Sequence, residues 1–454
     1  MKENDFLKEF AGQLAPLAKQ PEVNFHIALS GGLDSVVLLH LFTRLRETAP
    51  NLILFAHHIN HGLSKNAQHW RDFCSQLCAQ LGVDFTCSTL QLTKPTRTSL
   101  EALARDKRYG CLSEKLSSQS YLVTAHHQDD QLETVLLALK RGSGNTGLQG
   151  IRYKQKLSSG YLLRPLLNYS RAQLEGYAAQ FQLNWIEDES NSDQAFDRNF
   201  IRHTISPLLK ARWPGIAKSV ARSAAICQEQ QQILDEIAQQ DFATLVFYFL
   251  NQQALDFEKL KKLSSGRRNN VLRFWFKENG LDYPSAAQLQ AVWSDLVLAK
   301  IDALPVIQFK GYSVRRYRTH IYLLKDTDIA ANCSESVIWQ GEPILNLADG
   351  RIALAFSELE FKDNLSGALL VQENSTIEIC FRRQLAAQLS CKPIGRTGSR
   401  SIKKLLHEYH VPPWLRDFVP FILINGELRM AVGLWQCQTS LSEEYAYNLS
   451  VSFA

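Results

Sequence analysis

The segment Ser30-Gly31-Gly32-Leu33-Asp34-Ser35 has the plainest chemical content in the chain. It follows an apolar run and precedes apolar residues at helical spacing. Two glycines there let the backbone turn tightly against a polyanion, while the start of the next helix offers unpaired N–H groups and a positive dipole end. The hydroxyls of Ser30 and Ser35 add donors. Asp34 would repel phosphate, so its natural partner is Mg2+. The loop lacks a Gly-Lys-Ser/Thr ending and therefore does not point to ordinary γ-phosphate transfer.

A second constellation, Ala125-His126-His127-Gln128-Asp129-Asp130-Gln131-Leu132-Glu133-Thr134, also ends an apolar run. Asp130 and Glu133 stand three apart at a helix start and share a face. Acids in such a place often only complement a helix dipole. Two histidines and three acids at one sheet edge favour a working site instead, with Asp130 a second candidate for Mg2+ and His126, His127 and Glu133 candidates for substrate. His57-His58-Ile59-Asn60-His61-Gly62 invites a metal reading, but no nearby cysteine completes a zinc set. A polar loop against substrate or adenine is the more natural reading. Cys74 and Cys78, at helical spacing, read as core.

The hexapeptide resembles the PP-loop pattern SGGxDS, whose families hold the pyrophosphate of ATP while a substrate oxygen attacks the α-phosphorus. It is followed in order by His58 to Gly62, Ala125 to Thr134, Arg141-Gly142-Ser143-Gly144-Asn145-Thr146-Gly147-Leu148, Arg164-Pro165-Leu166-Leu167, Trp185-Ile186-Glu187-Asp188-Glu189-Ser190-Asn191 and Arg198-Asn199-Phe200-Ile201-Arg202. Together these blocks look like a tRNA(Ile)-lysidine synthetase over most of the first 210 residues. The resemblance implies ATP as co-substrate with Mg2+, and an isoleucine tRNA with a CAU anticodon and free L-lysine as partners. The C2 oxygen of the anticodon cytidine would attack ATP, and lysine would then displace AMP from the adenylated base. Asp34, Asp130, Glu133 and Arg198 are the expected catalytic residues, with Ser30 to Ser35 on ATP and Asp34 and Asp130 on Mg2+. His126, His127, Glu133 and Arg202 are expected at lysine or the base. Lysine must lose a proton before attack, which Glu133 or a neighbouring histidine would take. Arg198 and Arg202 suit phosphate charge or the orientation of an acid partner. A PP-loop tRNA thiolase is the enzymatic rival, and the lack of any CxxC pair counts against it. A non-catalytic RNA-binding protein that responds to ATP is the rival from another class.

These residues need a scaffold, and the first 125 residues supply the pattern of one. Apolar strands are expected at Phe25 to Leu29, Leu52 to Ala56, Val83 to Leu90 and Tyr121 to Ala125. Helices are expected at Val36 to Arg46, at Asn66 to Leu81 with Ser64 as a cap, and at Ser99 to Leu116. The alternation predicts an α/β, doubly wound, mainly parallel sheet with ligands beyond the carboxyl ends of the strands. Ser170 and Gln173 form a capping box for a further helix. Trp213-Pro214 closes a catalytic domain at 1–213. A mainly helical domain comes next at 214–325, with a hairpin of Tyr312 to Tyr317 and His320 to Leu324 near its end. A small mixed α+β domain is expected at 335–454, although Ala330 to Gly367 carries no motif. Gly395 to Leu405 and Val411 to Asp417 match the long form of the same family.

The chain has 454 residues, enough for two or three cores. Its 50 Lys and Arg against 45 Asp and Glu give +5, too mild to announce an RNA partner. Lys392 to Lys404 is the local exception, with five basic residues and no acidic one. Arg396, Arg400, Lys403 and Lys404 are accordingly the candidates for tRNA. Nine scattered cysteines read as reduced, buried thiols. Met1 to Gln13 lacks an apolar stretch and no run approaches a membrane span, so a cytoplasmic protein is expected.

Overall fold

In the computed structural model, the alternating apolar and helical segments become a six-stranded sheet wrapped by helices. The structure describes residues 3–20, 23–60, 66–90, 100–187, 189, 193–249, 252–300, 303–329, 335–347, 352–359, 369–372, 375–386, 388–438 and 445–453. Ser64, His61, Gly62, Ser99, Asp188, Ser190 and Asn191 fall outside the described residues, as do parts of the span from Ala330 to Gly367. By its internal contacts the chain divides into two compact units, Met1–Ile233 and Leu234–Ala454.

The first unit runs α1 (Glu3–Ala18), β1 (Asn24–Ala28), α2 (Leu33–Thr48), β2 (Ile53–Asn60), α3 (Ala67–Leu81), β3 (Asp84–Thr89), α4 (Leu100–Ser113), β4 (Ser120–Val123), α5 (Gln128–Lys140), the single turn α6 (Asn145–Leu148), β5 (Lys154–Leu157), β6 (Gly160–Leu163) and α7 (Arg171–Gln180). Then come α8 (Asp197–Phe200), a π-turn at Ile201–Ile205 and α9 (Ser206–Arg212). The strand order is β3-β2-β1-β4-β6-β5. All neighbours are parallel except the β5–β6 hairpin. Alternate strand residues point to opposite faces. Tyr121, Val123 and Leu163 accordingly join the larger core under α1, α2, α3 and α7, while Leu122 and Leu162 meet Leu112 and Leu116 on the other side.

This order places the site. The chain leaves β1 toward β2 and β3, then returns to lay β4 on the other flank of β1. The crevice beyond the carboxyl ends of β1 and β4 is therefore the topological switch point, where ligands of such sheets bind. Ser30 to Ser35 follows β1, and Thr124 to Asp130 follows β4.

The second unit contains more strand than its sequence suggests. Tyr312–Tyr317 and His320–Lys325 form the expected hairpin, but it belongs to a five-stranded antiparallel sheet. That sheet includes Val246–Phe249 and Gln252–Asp256 from the stretch read as helical. Strands of four and five residues are too short to impose a visible alternation. Val271, Leu272, Trp275 and Phe276 of the helix Ser265–Glu278 pack in the same core as Val314 and Ile321 of the hairpin. Farther on, Ile344–Leu347 pairs with Ile352–Leu359, which in turn pairs with the last strand, Tyr445–Phe453. The first two of these strands occupy part of the region that carried no motif. The helix Ile402–Glu408 packs beside a second five-stranded antiparallel sheet. Cys391 and Cys437 form a disulfide, which corrects the reading of all cysteines as reduced. Forty-six positions separate them, and they meet because Gln438 N–H donates to Lys392 O at 2.7 Å beside a bridge between Pro393 and Cys437. Cys87, Cys111 and Cys227 are only half-buried. Among the described residues no helix is long and apolar enough to cross a membrane.

The capping box at α7 is present in both directions: Ser170 Oγ accepts from Gln173 N–H at 3.3 Å, and Gln173 Oε1 accepts from Ser170 N–H at 2.9 Å. Ser170→Ala should therefore destabilise the first unit by about 1 kcal/mol. The check is a urea titration, in which the midpoint falls while the slope stays constant.

Candidate active site

The phosphate loop is shaped by its own serines. Ser35 Oγ accepts from the N–H groups of Ser30 and Gly31, both at 3.2 Å, and donates to Gly32 O at 2.9 Å. Ser30 Oγ accepts from Gly32 N–H at 3.3 Å. The two hydroxyls expected to serve a ligand thus also hold the turn. Gly31 has φ +89°, and a Cβ there would sit 3.2 Å from Cys74 Sγ and 3.3 Å from Ile186 Cδ1. Its carbonyl accepts from Ile186 N–H at 2.9 Å, fastening the Trp185-Ile186-Glu187 block to the loop. The first turn of α2, capped at Gly32, leaves N–H groups without intrahelical partners beside Asp34.

After β4, His127 caps α5. Its Nδ1 accepts from Asp129 N–H at 3.2 Å, and its own N–H donates to Asp130 Oδ2 at 2.9 Å. The imidazole Nε2 lies 3.6 Å from Asp34 Oδ2 and 3.5 Å from Asp130 Oδ2, so it joins the two motifs. Burial alone would lower the pKa of His127, but the carboxylates of Asp130, Asp34 and Asp129 outweigh it and raise the net value. Burial would likewise raise Asp130. His127, His126 and Arg198 overcome that and hold its carboxyl well below the usual range.

Arg198 and Arg202 stand four apart where α8 passes into the π-turn, so both reach the same side. Arg198 donates from Nε to Glu133 Oε2 at 2.7 Å and from Nη2 to Asp130 Oδ1 at 2.9 Å. Arg202 donates from Nε to Glu133 Oε1 at 2.6 Å, and from Nη2 to Asp130 Oδ1 at 3.1 Å and Glu133 Oε2 at 3.0 Å. Of the two uses the sequence left open, these contacts are those of orienting an acid partner. The Glu133 side chain is only 2% exposed, and both its oxygens are engaged.

Two cations escaped the sequence reading. Arg171, the first residue of α7, donates from Nη1 to Asp34 Oδ2 at 2.7 Å and from its backbone N–H to Asp129 Oδ2 at 2.7 Å. Lys210 of α9 pairs with Asp129. Their only sequence signal was a helix-start position for Arg171 and nothing at all for Lys210. A cleft of about 920 Å³ is lined by Ser30, Gly32 to Ser35, His57, His126, His127, Asp129, Asp130, Glu133, Arg171, Arg202 and Lys210, among others.

The neighbouring histidine block is committed locally. His57 places Nδ1 2.6 Å from Thr86 Oγ1 and Nε2 3.1 Å from Ser88 Oγ, and burial first, then Lys115, lowers its pKa to about 4. His58 Nδ1 meets Leu29 O at 2.9 Å. Among the described residues no His, Cys, Asp and Glu cluster forms a metal cage. A Mg2+ ion shared with ATP phosphates needs only one or two carboxylates. Asp34 fits that need, because its Oδ1 is buried and makes no hydrogen bond among the described residues. The oxygens of Asp130 are instead occupied by the two arginines and the His127 backbone.

The basic candidates of the C-terminal region belong to the second unit. Arg396 and Arg400 pair with Glu408, whereas Lys403 and Lys404 are exposed on the helix Ile402–Glu408.

Comparison with known proteins fits this arrangement. A PP-loop domain family matches residues 4–209, a TilS substrate binding domain matches 255–322, and a TilS substrate C-terminal domain matches 377–452. A tRNA(Ile)-lysidine synthase of Serratia proteamaculans is 40% identical over 433 residues, covering 95% of this chain and 96% of the relative. The chain belongs to the tRNA(Ile)-lysidine synthase family. Members from Photobacterium profundum and Legionella pneumophila (strain Lens) are each 38% identical, over 94% and 90% of this chain and 96% and 90% of their own lengths. Membership makes the chain a ligase that uses ATP through its PP-loop, and it sets aside both the thiolase and the non-catalytic alternatives.

Because the pKa of His127 is raised above its value in the unfolded chain, the folded form binds more protons in the interval between the two. The stability this contributes is full below about pH 6.5 and is lost as pH rises through the folded pKa. His127→Gln should flatten that part of the stability curve, measured by urea unfolding across the pH range.

Proposed function

We propose that the chain joins free L-lysine to C2 of the wobble cytidine in an isoleucine tRNA with a CAU anticodon. The observation that carries this reading is the meeting of a PP-loop and a buried acid–arginine cluster in one cleft at the sheet's switch point. The cytidine C2 oxygen attacks the α-phosphorus of ATP, the α–β bond breaks and pyrophosphate leaves. The lysine amine then attacks C2, and AMP departs with the former carbonyl oxygen.

The chain's own groups divide this work. The loop N–H groups and the start of α2 receive phosphate charge. Asp34 would hold Mg2+ through its unbonded Oδ1, with Asp130 kept as the partner of Arg198 and Arg202. When bound, the ion offsets charge on the phosphates. A lysine ammonium has a pKa of about 10.4 and must lose a proton before attack. With both oxygens of Glu133 gripped by arginines, His126 is the better acceptor; it lines the cleft, with Nδ1 2.8 Å from Thr124 Oγ1. Glu133, Arg198 and Arg202 fix the wall of the lysine site, and His127 joins it to Asp34.

We assign the catalytic role to 1–213 and tRNA holding to 214–325 and 335–454. Lys403 and Lys404 are the stronger tRNA contacts of the C-terminal set, because Arg396 and Arg400 are already paired with Glu408.

Incubation with ATP, radiolabelled lysine and a CAU-anticodon tRNA should label the tRNA and release AMP and pyrophosphate in equal amounts. Asp34→Ala should abolish pyrophosphate release while the circular dichroism spectrum is unchanged. Absence of label with the unaltered protein sinks the reading, and near-normal turnover in the variant removes Asp34 from it.

Replacing both Lys403 and Lys404 with Glu should weaken tRNA binding and flatten its logarithmic salt dependence by roughly 0.7 to 0.9 per lost phosphate contact. ATP affinity should stay constant. Filter binding across a salt series is the measurement, and an unchanged slope rejects the assignment.

A further inference from the structure

The PP-loop itself contains no basic residue. A triphosphate brings several negative charges to it, and Asp34 adds another. Loop N–H groups and a helix dipole offset only part of that charge. Mg2+ would offset more of it, and a cationic side chain from elsewhere in the fold can add to that.

The cationic side chains that approach the loop differ in how firmly they are held. Arg202 spends Nε and Nη2 on Glu133 and Asp130, whose side chains are 2% and 10% exposed. Such a buried, multidentate pair is costly to break. Lys210 is paired with Asp129. Arg171 is different. It gives Asp34 a single Nη1 contact at 2.7 Å and gives Glu175, on its own helix, an Nε contact at 3.0 Å. Its side chain is 39% exposed, and its Nη2 makes no hydrogen bond among the described residues. Contacts this exposed contribute little stability and exchange readily.

The backbone of Arg171, by contrast, is firmly placed. Its N–H donates to Asp129 Oδ2, and the Ser170–Gln173 capping box fixes the start of α7 beneath it. A fixed Cα with a loosely held, planar, five-donor head is suited to changing anionic partners. If Asp34 accepts a divalent ion, two cations on one carboxylate repel each other, and the guanidinium gains by moving to phosphate.

We propose that Arg171 is the phosphate-binding cation of the PP-loop: it neutralises Asp34 until ATP arrives and then transfers its Nη donors to the triphosphate. The inference rests on the ATP-cleaving reading above and adds a residue to it. No covalent bond changes in this exchange; an ion pair is traded for a charge-assisted contact with phosphate.

The test uses the full chain and equilibrium dialysis of radiolabelled ATP and adenosine, with and without Mg2+, for the unaltered protein and for Arg171→Ala and Arg171→Lys. Loss of a charge-assisted hydrogen bond should raise the Kd for ATP about tenfold or more. Adenosine, which has no phosphate, should bind both forms alike, and lysine at position 171 should recover part of the ATP affinity. The KM for free lysine should not move. ATP affinity unchanged in Arg171→Ala overturns the proposal, as does an equal loss for ATP and adenosine, which marks Arg171 as a brace of the cleft. If the alanine variant does not fold, Arg171→Lys and Arg171→Gln decide by the same ATP-to-adenosine ratio. Failure of the unaltered protein to label tRNA would count against the lysidine reading and leave this comparison of affinities intact.

Discussion

Four carboxylates from the starts of two helices, Asp34 of α2 and Asp129, Asp130 and Glu133 of α5, are brought to one end of a sheet where three of them are almost wholly buried. Charges of one sign cannot be gathered away from water without compensation. Much of the first unit beyond β4 serves to supply it. Arg171 comes from α7, Arg198 and Arg202 from α8 and the π-turn, and Lys210 from α9, while His127 lies among three of the acids. Each of these arginines and the lysine arrives from a helical segment that comes after the strands in sequence.

The same constraint explains local irregularities. A regular α-helix from Asp197 to Arg212 would carry 3.6 residues per turn throughout. The π-turn at Ile201–Ile205 changes the phase of α9 relative to α8, so Arg198 and Arg202 serve one side of the cluster and Lys210 another. Such turns recur at functional sites because they re-aim side chains at a local cost in hydrogen bonding. The capping boxes of α5 and α7 fix two of the approaching backbones, and Asp130 is shared between a cap and an ion pair. Stability and function therefore draw on the same carboxylate, the cap on Oδ2 and the arginines on Oδ1.

The second unit is built on another principle. Its sheets are antiparallel, and its cores rest on residues such as Trp275, Phe276, Phe381 and Phe421, each almost wholly buried. Trp275 satisfies its indole N–H on Gln253 Oε1 at 2.8 Å, which ties the helix Ser265–Glu278 to the strand Gln252–Asp256 of the sheet. Trp414 lies edge-on to Tyr322, with centroids 5.3 Å apart, and so packs the C-terminal region against the middle sheet. The exposed positive charge that remains, at Lys403 and Lys404, sits on a helix whose other face is buried through Leu405 and Leu406.

The sequence by itself determined the sheet-and-helix alternation of the first unit, because apolar periodicity is a local property: the four strands from Phe25 to Ala125 and the intervening helices lie within a few residues of their expected positions. It also determined the loop at Ser30 to Ser35 and the acids after β4, since a glycine turn and a helix start need only neighbouring residues. The short strands Val246–Phe249 and Gln252–Asp256 were hidden, because the second joins its sheet only through His320–Lys325, far along the chain, and the first is defined only by pairing with the second. The Cys391–Cys437 bridge was hidden for the same reason. Only tertiary structure decided that Arg171 faces Asp34 across 137 positions, that Arg198 and Arg202 grip Glu133 instead of standing open, and that Asp34 keeps a buried oxygen without a hydrogen bond among the described residues. Charge compensation acts through space, and a sequence records the charges but not which of them meet.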